Sequence, residues 1–216
     1  MEKRNNKDVL GLEGKSGYDG SRDAELLERF QSGDQSAFEE LMSLYYKSVL
    51  NLIYRFKGCS AREAEDTAQE VFLRLYRALP RFELRAKLFT YIYKVTMNQC
   101  FKERKHRAKD IPVKLSIDEP LENASDSPIR RDIVDPGDLP LQSVEYGETY
   151  AEVVKALQKI DAEMRAPLIL NRFYDMTYEE IAEVMELTPA AVRSRVHRAR
   201  QNILKHLRKA FGGKEF

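Results

Sequence analysis

The chain has 216 residues, 43% hydrophobic and 33% charged, with 10 Gly, 8 Pro and no Trp, a composition that suits one helix-rich domain or two small ones. No stretch approaches the ~18 consecutive apolar residues of a membrane span, and the polar, Gly-containing start lacks the apolar core of a secretory signal; a cytoplasmic protein without membrane insertion is expected. Cys59, Cys100 and three His form neither a disulfide framework nor a metal motif, so no metal, no cofactor and no catalysis are expected.

The net charge of +1 conceals three blocks. Lys94 to Lys109 holds six Lys/Arg against one acid, Asp110 to Glu148 ten acids against three Lys/Arg, and Pro189 to Lys209 seven Lys/Arg and no acid. Two basic blocks around an acidic one can each hold a phosphate backbone, while their charges cancel in the sum.

Residues 1–21 read as a disordered tail, and 22–109 as a first helical domain. Ser36 with Glu39 has capping-box spacing and heads a helix with Phe38, Leu41, Met42, Tyr45, Val49, Leu52, Ile53 and Phe56 at three-and-four spacing. Gly58 is its stop. Ser60 with Glu63 opens the next helix, which shows Ala64, Ala68, Val71, Phe72, Leu75, Tyr76 and Leu79 on one side and ends at Pro80. A fourth helix, from about Ala86 to Lys105, carries aromatic residues among the cations.

Residues 110–146 read as a flexible acidic linker holding five of the eight prolines. As a coil, this segment up to Glu148 would average roughly 35 Å end to end, and fully stretched it would reach about 130 Å. Such a tether is foreign to a compact domain, so 147–212 reads as a second helical domain. Its helices are expected from near Tyr150, from about Arg165 to Phe173, from the capping box Thr177/Glu180, and from Thr188-Pro189, where proline at the first helical position costs no hydrogen bond.

Tyr178 to Val196 has the pattern of a helix-turn-helix. Ile181, Ala182 and Met185 form the inner face of a short helix, Glu186 to Thr188 the turn, and Val192, Val196, Ala199, Ile203 and Leu207 the inner stripe of the second helix. The cations are then left on the exposed arc. A solvated structural helix normally mixes signs to gain i,i+4 pairs; one with cations alone calls for an anionic partner, and its first turns fit the major groove. The candidate DNA contacts are Thr188, Ala190, Arg193, Ser194, Arg195, His197, Arg198 and Arg200.

Met176 to Met185 (Met-Thr-Tyr-Glu-Glu-Ile-Ala-Glu-Val-Met) and Ala191 to Arg200 (Ala-Val-Arg-Ser-Arg-Val-His-Arg-Ala-Arg) resemble region 4 of bacterial sigma factors of the extracytoplasmic-function (ECF) group. Ala64 to Phe72 resembles sigma region 2.2, and Thr90 to Asn98 resembles the region 2.3–2.4 pattern T-W-L-Y-R-I-A-x-N. The resemblance covers about residues 23–209. It implies an all-α protein in which region 2 docks on the β′ clamp helices of core RNA polymerase, recognises the minus-10 element and helps melt it, while region 4 reads the minus-35 element and touches the β flap. By position, Asp66, Gln69, Glu70 and Phe72 belong to the polymerase-docking face, although the acids also suit a plain wet helix face and Phe72 suits core packing. Tyr91, Lys94, Asn98, Lys102 and Arg104 are the region 2 candidates for DNA; stacking of a melted base on an aromatic ring is worth ~1–3 kcal/mol. Not all of Phe89, Tyr91, Tyr93 and Phe101 can face outward on one helix. The loop Pro80 to Lys87 is implied to help capture a flipped base. Tyr91 stands where the family commonly has Trp, Glu186 where it has Gly, and Ala191 where it has Thr. An anti-sigma factor is the further partner that the resemblance implies.

The linker reads either as a solubilising tether or as an acidic strand that threads a positively charged polymerase channel. The alternative function is a stand-alone helix-turn-helix regulator that binds its operator without polymerase.

Overall fold

The computed structural model describes residues 20–83, 87–110 and 147–210, and these are helical with short connections. Most of the expected tail, the acidic linker and part of the Pro80–Lys87 loop lie outside the described residues. The chain forms α1 (Gly20–Gln31), α2 (Gln35–Lys57), α3 (Ala61–Ala78), a 3-10 turn (Leu79–Arg81), α4 (Leu88–Asp110), α5 (Gly147–Gln158), α6 (Ala162–Phe173), α7 (Tyr178–Met185) and α8 (Pro189–Ala210).

Two of the three expected capping boxes form. At α3, Ser60 and Glu63 bond reciprocally, and at α7 Thr177 and Glu180 do the same, each satisfying two otherwise orphaned backbone donors. The box at Ser36 does not form. Asp34 is the N-cap of α2 and accepts from the Ser36 amide at 3.0 Å, while the Ser36 hydroxyl donates to the same carboxylate oxygen at 2.6 Å. A carboxylate two residues upstream outcompetes the hydroxyl, and the Ser36 and Arg29 contacts hold the Asp34 pKa below its ordinary value. α6 also starts earlier than expected, at an Asp161 N-cap that accepts from the Glu163 amide, and runs through Pro167.

α2 is the spine. Its first half buries Ala37 and, of the expected stripe, Phe38, Leu41 and Tyr45, but from Val49 to Phe56 every residue is buried. A helix buried on all sides must be covered on all sides. α1, α3 and α4 cover one part, and α5 and α6 cover the other. The two helical groups therefore share a continuous apolar core, and α7 lies against α4.

This seam contains polar side chains. Arg55 of α2 is fully buried, with its guanidinium 4.5 Å from the centre of the Phe173 ring and its Nη1 donating to Tyr174 Oη at 3.2 Å. Tyr174 donates in turn to the Ser48 carbonyl at 3.0 Å. Arg165 lies over Phe56 and donates to Gln158; burial, then the nearby Arg104 charge, lower its pKa to about 10.

Candidate nucleic-acid interface

α8 is held by its apolar side. Val192, Val196 and Ala199 are buried against α6 and α7, with Ile203 half-buried below them; Leu207 is outside the residues with described side chains. Within α7, Ile181, Ala182 and Val184 are buried, and Met185 is only half-buried. Val184 thus takes the inner place expected of Met185. Thr188 caps α8, its hydroxyl accepting from the Ala191 amide at 3.2 Å.

That anchoring turns Thr188, Ala190, Arg193, Ser194, His197, Arg198 and Arg200 to solvent. The arginines are not equivalent. Arg193 sits 5.7 Å from the centre of the Tyr178 ring, and Arg200 donates to Asn171 Oδ1 at 2.9 Å. Arg195 is half-buried and bonded to Glu163 at 3.0 Å, which partly neutralises it. His197 is within 3.0 Å of Gln201.

On α4, Tyr91, Lys94, Asn98 and Lys102 follow at three- and four-residue spacing and so share one face. Asn98 and Lys102 are exposed; Tyr91 and Lys94 are half-buried. Tyr91 packs on Phe82 with ring centres 4.6 Å apart. Arg104 is exposed but lies about a third of a turn or more off that face, on the side where it disfavours the charge of Arg165. Of the other aromatics, Phe89 and Tyr93 are buried, and Phe101 packs edge-on against Phe56 at 5.0 Å.

On α3, Asp66, Gln69 and Glu70 are exposed, while Phe72 is 6% exposed and stacked on Tyr46 at 6.1 Å. Phe72 nonetheless lines an apolar groove of about 480 Å³ between α2 and α3, together with Phe38, Met42, Gln69, Leu73 and Tyr76. Leu73 is 50% exposed there and Tyr76 39%. The sequence placed Tyr76 on the inner side of α3 and passed over Leu73. An apolar residue one step off the buried stripe was the available signal.

Among the described residues, no group of His, Cys, Asp and Glu could hold a metal ion, and no helix is long and apolar enough to cross a membrane.

Residues 41–109 match the family model for sigma-70 region 2, and residues 150–203 match that for sigma-70 region 4. The RNA polymerase sigma-H factor of Pseudomonas aeruginosa is 34% identical over 186 residues, covering 86% of this chain and 94% of that protein. The ECF RNA polymerase sigma factor SigW of Bacillus subtilis is 26% identical over 182 residues, covering 84% of this chain and 95% of the relative. The chain belongs to the ECF sigma factors.

As a sigma factor it serves RNA polymerase in transcription initiation, and the stand-alone regulator reading is not favoured. The fold agrees: the sigma factor RpoE of Bartonella quintana, solved in complex with the anti-sigma factor NepR, superposes with a TM-score of 0.59 at 18% identity, covering 79% of this chain and 96% of that one. In this sigma factor α2 to α4 fall in region 2 and α5 to α8 in region 4. The sequence did not reveal the seam between the two regions, where Lys87 meets Glu180 and Lys94 meets Glu186.

Proposed function

We propose that α8 reads the minus-35 element, that the Tyr91, Lys94, Asn98 and Lys102 face of α4 engages the minus-10 element and assists its melting, and that Asp66, Gln69, Glu70 and the adjoining groove dock on the β′ clamp helices of core polymerase. The observation that carries the reading is the one-sided build of α8. Its apolar residues are buried, and Arg193 and Arg198 are presented to solvent with no ion pair among the described residues, as backbone and groove contacts demand. Of the candidate cations, Arg195 and Arg104 have the weaker geometric support, the first because Glu163 already holds it and the second because it lies off the α4 face.

Region 4 also touches the β flap in this reading, and the complex works in the cytoplasm, where polymerase is. The RpoE neighbour was solved with an anti-sigma factor, and we propose a protein of that class as the further partner. Run-off transcription with core polymerase on a library of genomic fragments tests the reading: discrete start sites that need both core enzyme and this protein are expected. DNA binding without any association with core enzyme would overturn it.

A further inference from the structure

Asn171 of α6 has both ends of its side-chain amide engaged. Its Nδ2 donates to the Met176 carbonyl at 3.0 Å, and its Oδ1 accepts from Arg200 Nη2 of α8 at 2.9 Å. The first bond decides the second. An amide turned to give a donor to a carbonyl shows its oxygen on the other side, and an oxygen is what a guanidinium needs. The Met176 carbonyl is itself fixed. Met176 is buried, its backbone amide donates to the Leu170 carbonyl at 3.3 Å, and Asp175 before it takes a left-handed φ of 48°. Asn171 therefore transmits the shape of the α6–α7 turn to one arginine of α8.

Arg200 follows Arg193 and His197 at i, i+4 and i+7, so the three share one face of α8. It stands about 10 Å further along the helix axis than Arg193. Where the first turns of such a helix meet base edges, a cation two turns on is placed for the phosphate backbone. Arg200 is also held differently from Arg195. Glu163 gives Arg195 a counter-charge at 3.0 Å and must be displaced before a phosphate takes that guanidinium. Asn171 is neutral. It engages one guanidinium N–H and leaves the full positive charge and the other donors for an anion. A long side chain that is already ordered loses less freedom on binding.

We propose that Asn171 is a positioning residue of the minus-35 interface, which acts by holding the Arg200 guanidinium in the direction of one backbone phosphate. The proposal rests on the functional reading above, in which α8 lies on the minus-35 element with Arg200 among its contacts.

The test uses holoenzyme assembled from core polymerase and the full chain, titrated at several salt concentrations against a promoter fragment found by run-off transcription. Asn171→Leu, similar in shape but without hydrogen bonds, is expected to weaken binding by about two- to tenfold, the range for ordering one long side chain at an interface. The slope of log K against log salt should stay that of the parent, because Arg200 still reaches its phosphate. Arg200→Ala should lower affinity and slope together, and in that background Asn171→Leu should change nothing further. Asn171→Ala, which crowds no neighbour, should repeat both results, so that a folding defect of the leucine variant does not decide the matter. An asparagine that only braces the α6–α7 turn would weaken binding equally with Arg200 present or absent. That additive result would overturn the proposal, as would parent-like binding by both Asn171 variants while Arg200→Ala binds weakly. Parent-like binding by Arg200→Ala itself would overturn the functional reading of Arg200 together with the proposal.

Discussion

Gln158 of α5 presses against Gly58, the left-handed C-cap of α2. A β-carbon at Gly58 would stand 2.7 Å from both Cγ and Cδ of Gln158, whose amide meanwhile donates to the Arg55 and Phe56 carbonyls at 3.1 and 3.3 Å. The end of a region 2 helix is thus closed by a side chain from region 4. Gly58→Ala is expected to destabilise the chain by more than the ~1–2 kcal/mol of a left-handed non-glycine residue, because Gln158 must also leave its carbonyls. In a Gln158→Ala background the same substitution should cost less. A double-mutant cycle by urea denaturation measures the difference, which vanishes if the seam is not formed in solution.

The arginines of α8 should separate in a salt titration of promoter binding. Arg198→Ala is expected to weaken binding and to lower the slope of log K against log salt by about 0.9 if one phosphate contact is lost. Arg195→Ala should do less, because Glu163 already occupies that guanidinium. Glu163→Gln frees Arg195 and should tighten binding modestly, most visibly at low salt. Equal losses for the two arginine variants would show that Glu163 releases Arg195 on the DNA.

The helices and the one-sided build of α8 were legible because they rest on local periodicity and capping, as at Ser60/Glu63 and Thr177/Glu180. The Ser36 box failed on equally local chemistry, since Asp34 offered a stronger acceptor. What could not be read was long-range. Lys94 and Glu186 lie 92 positions apart, and no local pattern pairs them. Arg55, a cation near the end of α2 that local periodicity does not place, is fully buried because Phe173 of α6 and its C-cap Tyr174 cover it. The docking candidates on α3 come from the resemblance alone, and the groove beside them could not be read, because it needs the apolar edges of two helices at once.

That groove gives the third expected outcome. Leu73→Asp places a charge at a half-exposed apolar position, so the fold should tolerate it better than a core change of the same kind. It is expected to reduce capture of core polymerase by at least tenfold in a pull-down, and Asp66→Ala should reduce it less. The DNA affinity of α8 should be unchanged in both. Normal polymerase capture by Leu73→Asp would remove the groove from the docking face.

Inside region 2, Glu103 of α4 joins three elements. It receives Lys57 Nζ at 2.6 Å and the Thr67 hydroxyl at 3.0 Å on one oxygen, and the Gln99 amide at 2.8 Å on the other. Burial alone would raise its pKa, but the hydrogen bonds from Lys57 and Gln99 outweigh burial and hold it below the ordinary carboxylate value. A carboxylate depressed in the folded state contributes stability that is fully present above its unfolded pKa and is lost as pH falls through the folded one. Glu103→Gln should therefore be clearly less stable than the parent at neutral pH, also because Lys57, with its side chain only 8% exposed, loses its counter-charge. The gap should narrow below about pH 4.3, where an ordinary glutamate titrates, and close as the folded carboxyl itself takes up a proton. Urea midpoints of both proteins across the acid range measure it, and a gap independent of pH would mean that the Lys57 pairing contributes nothing to folding.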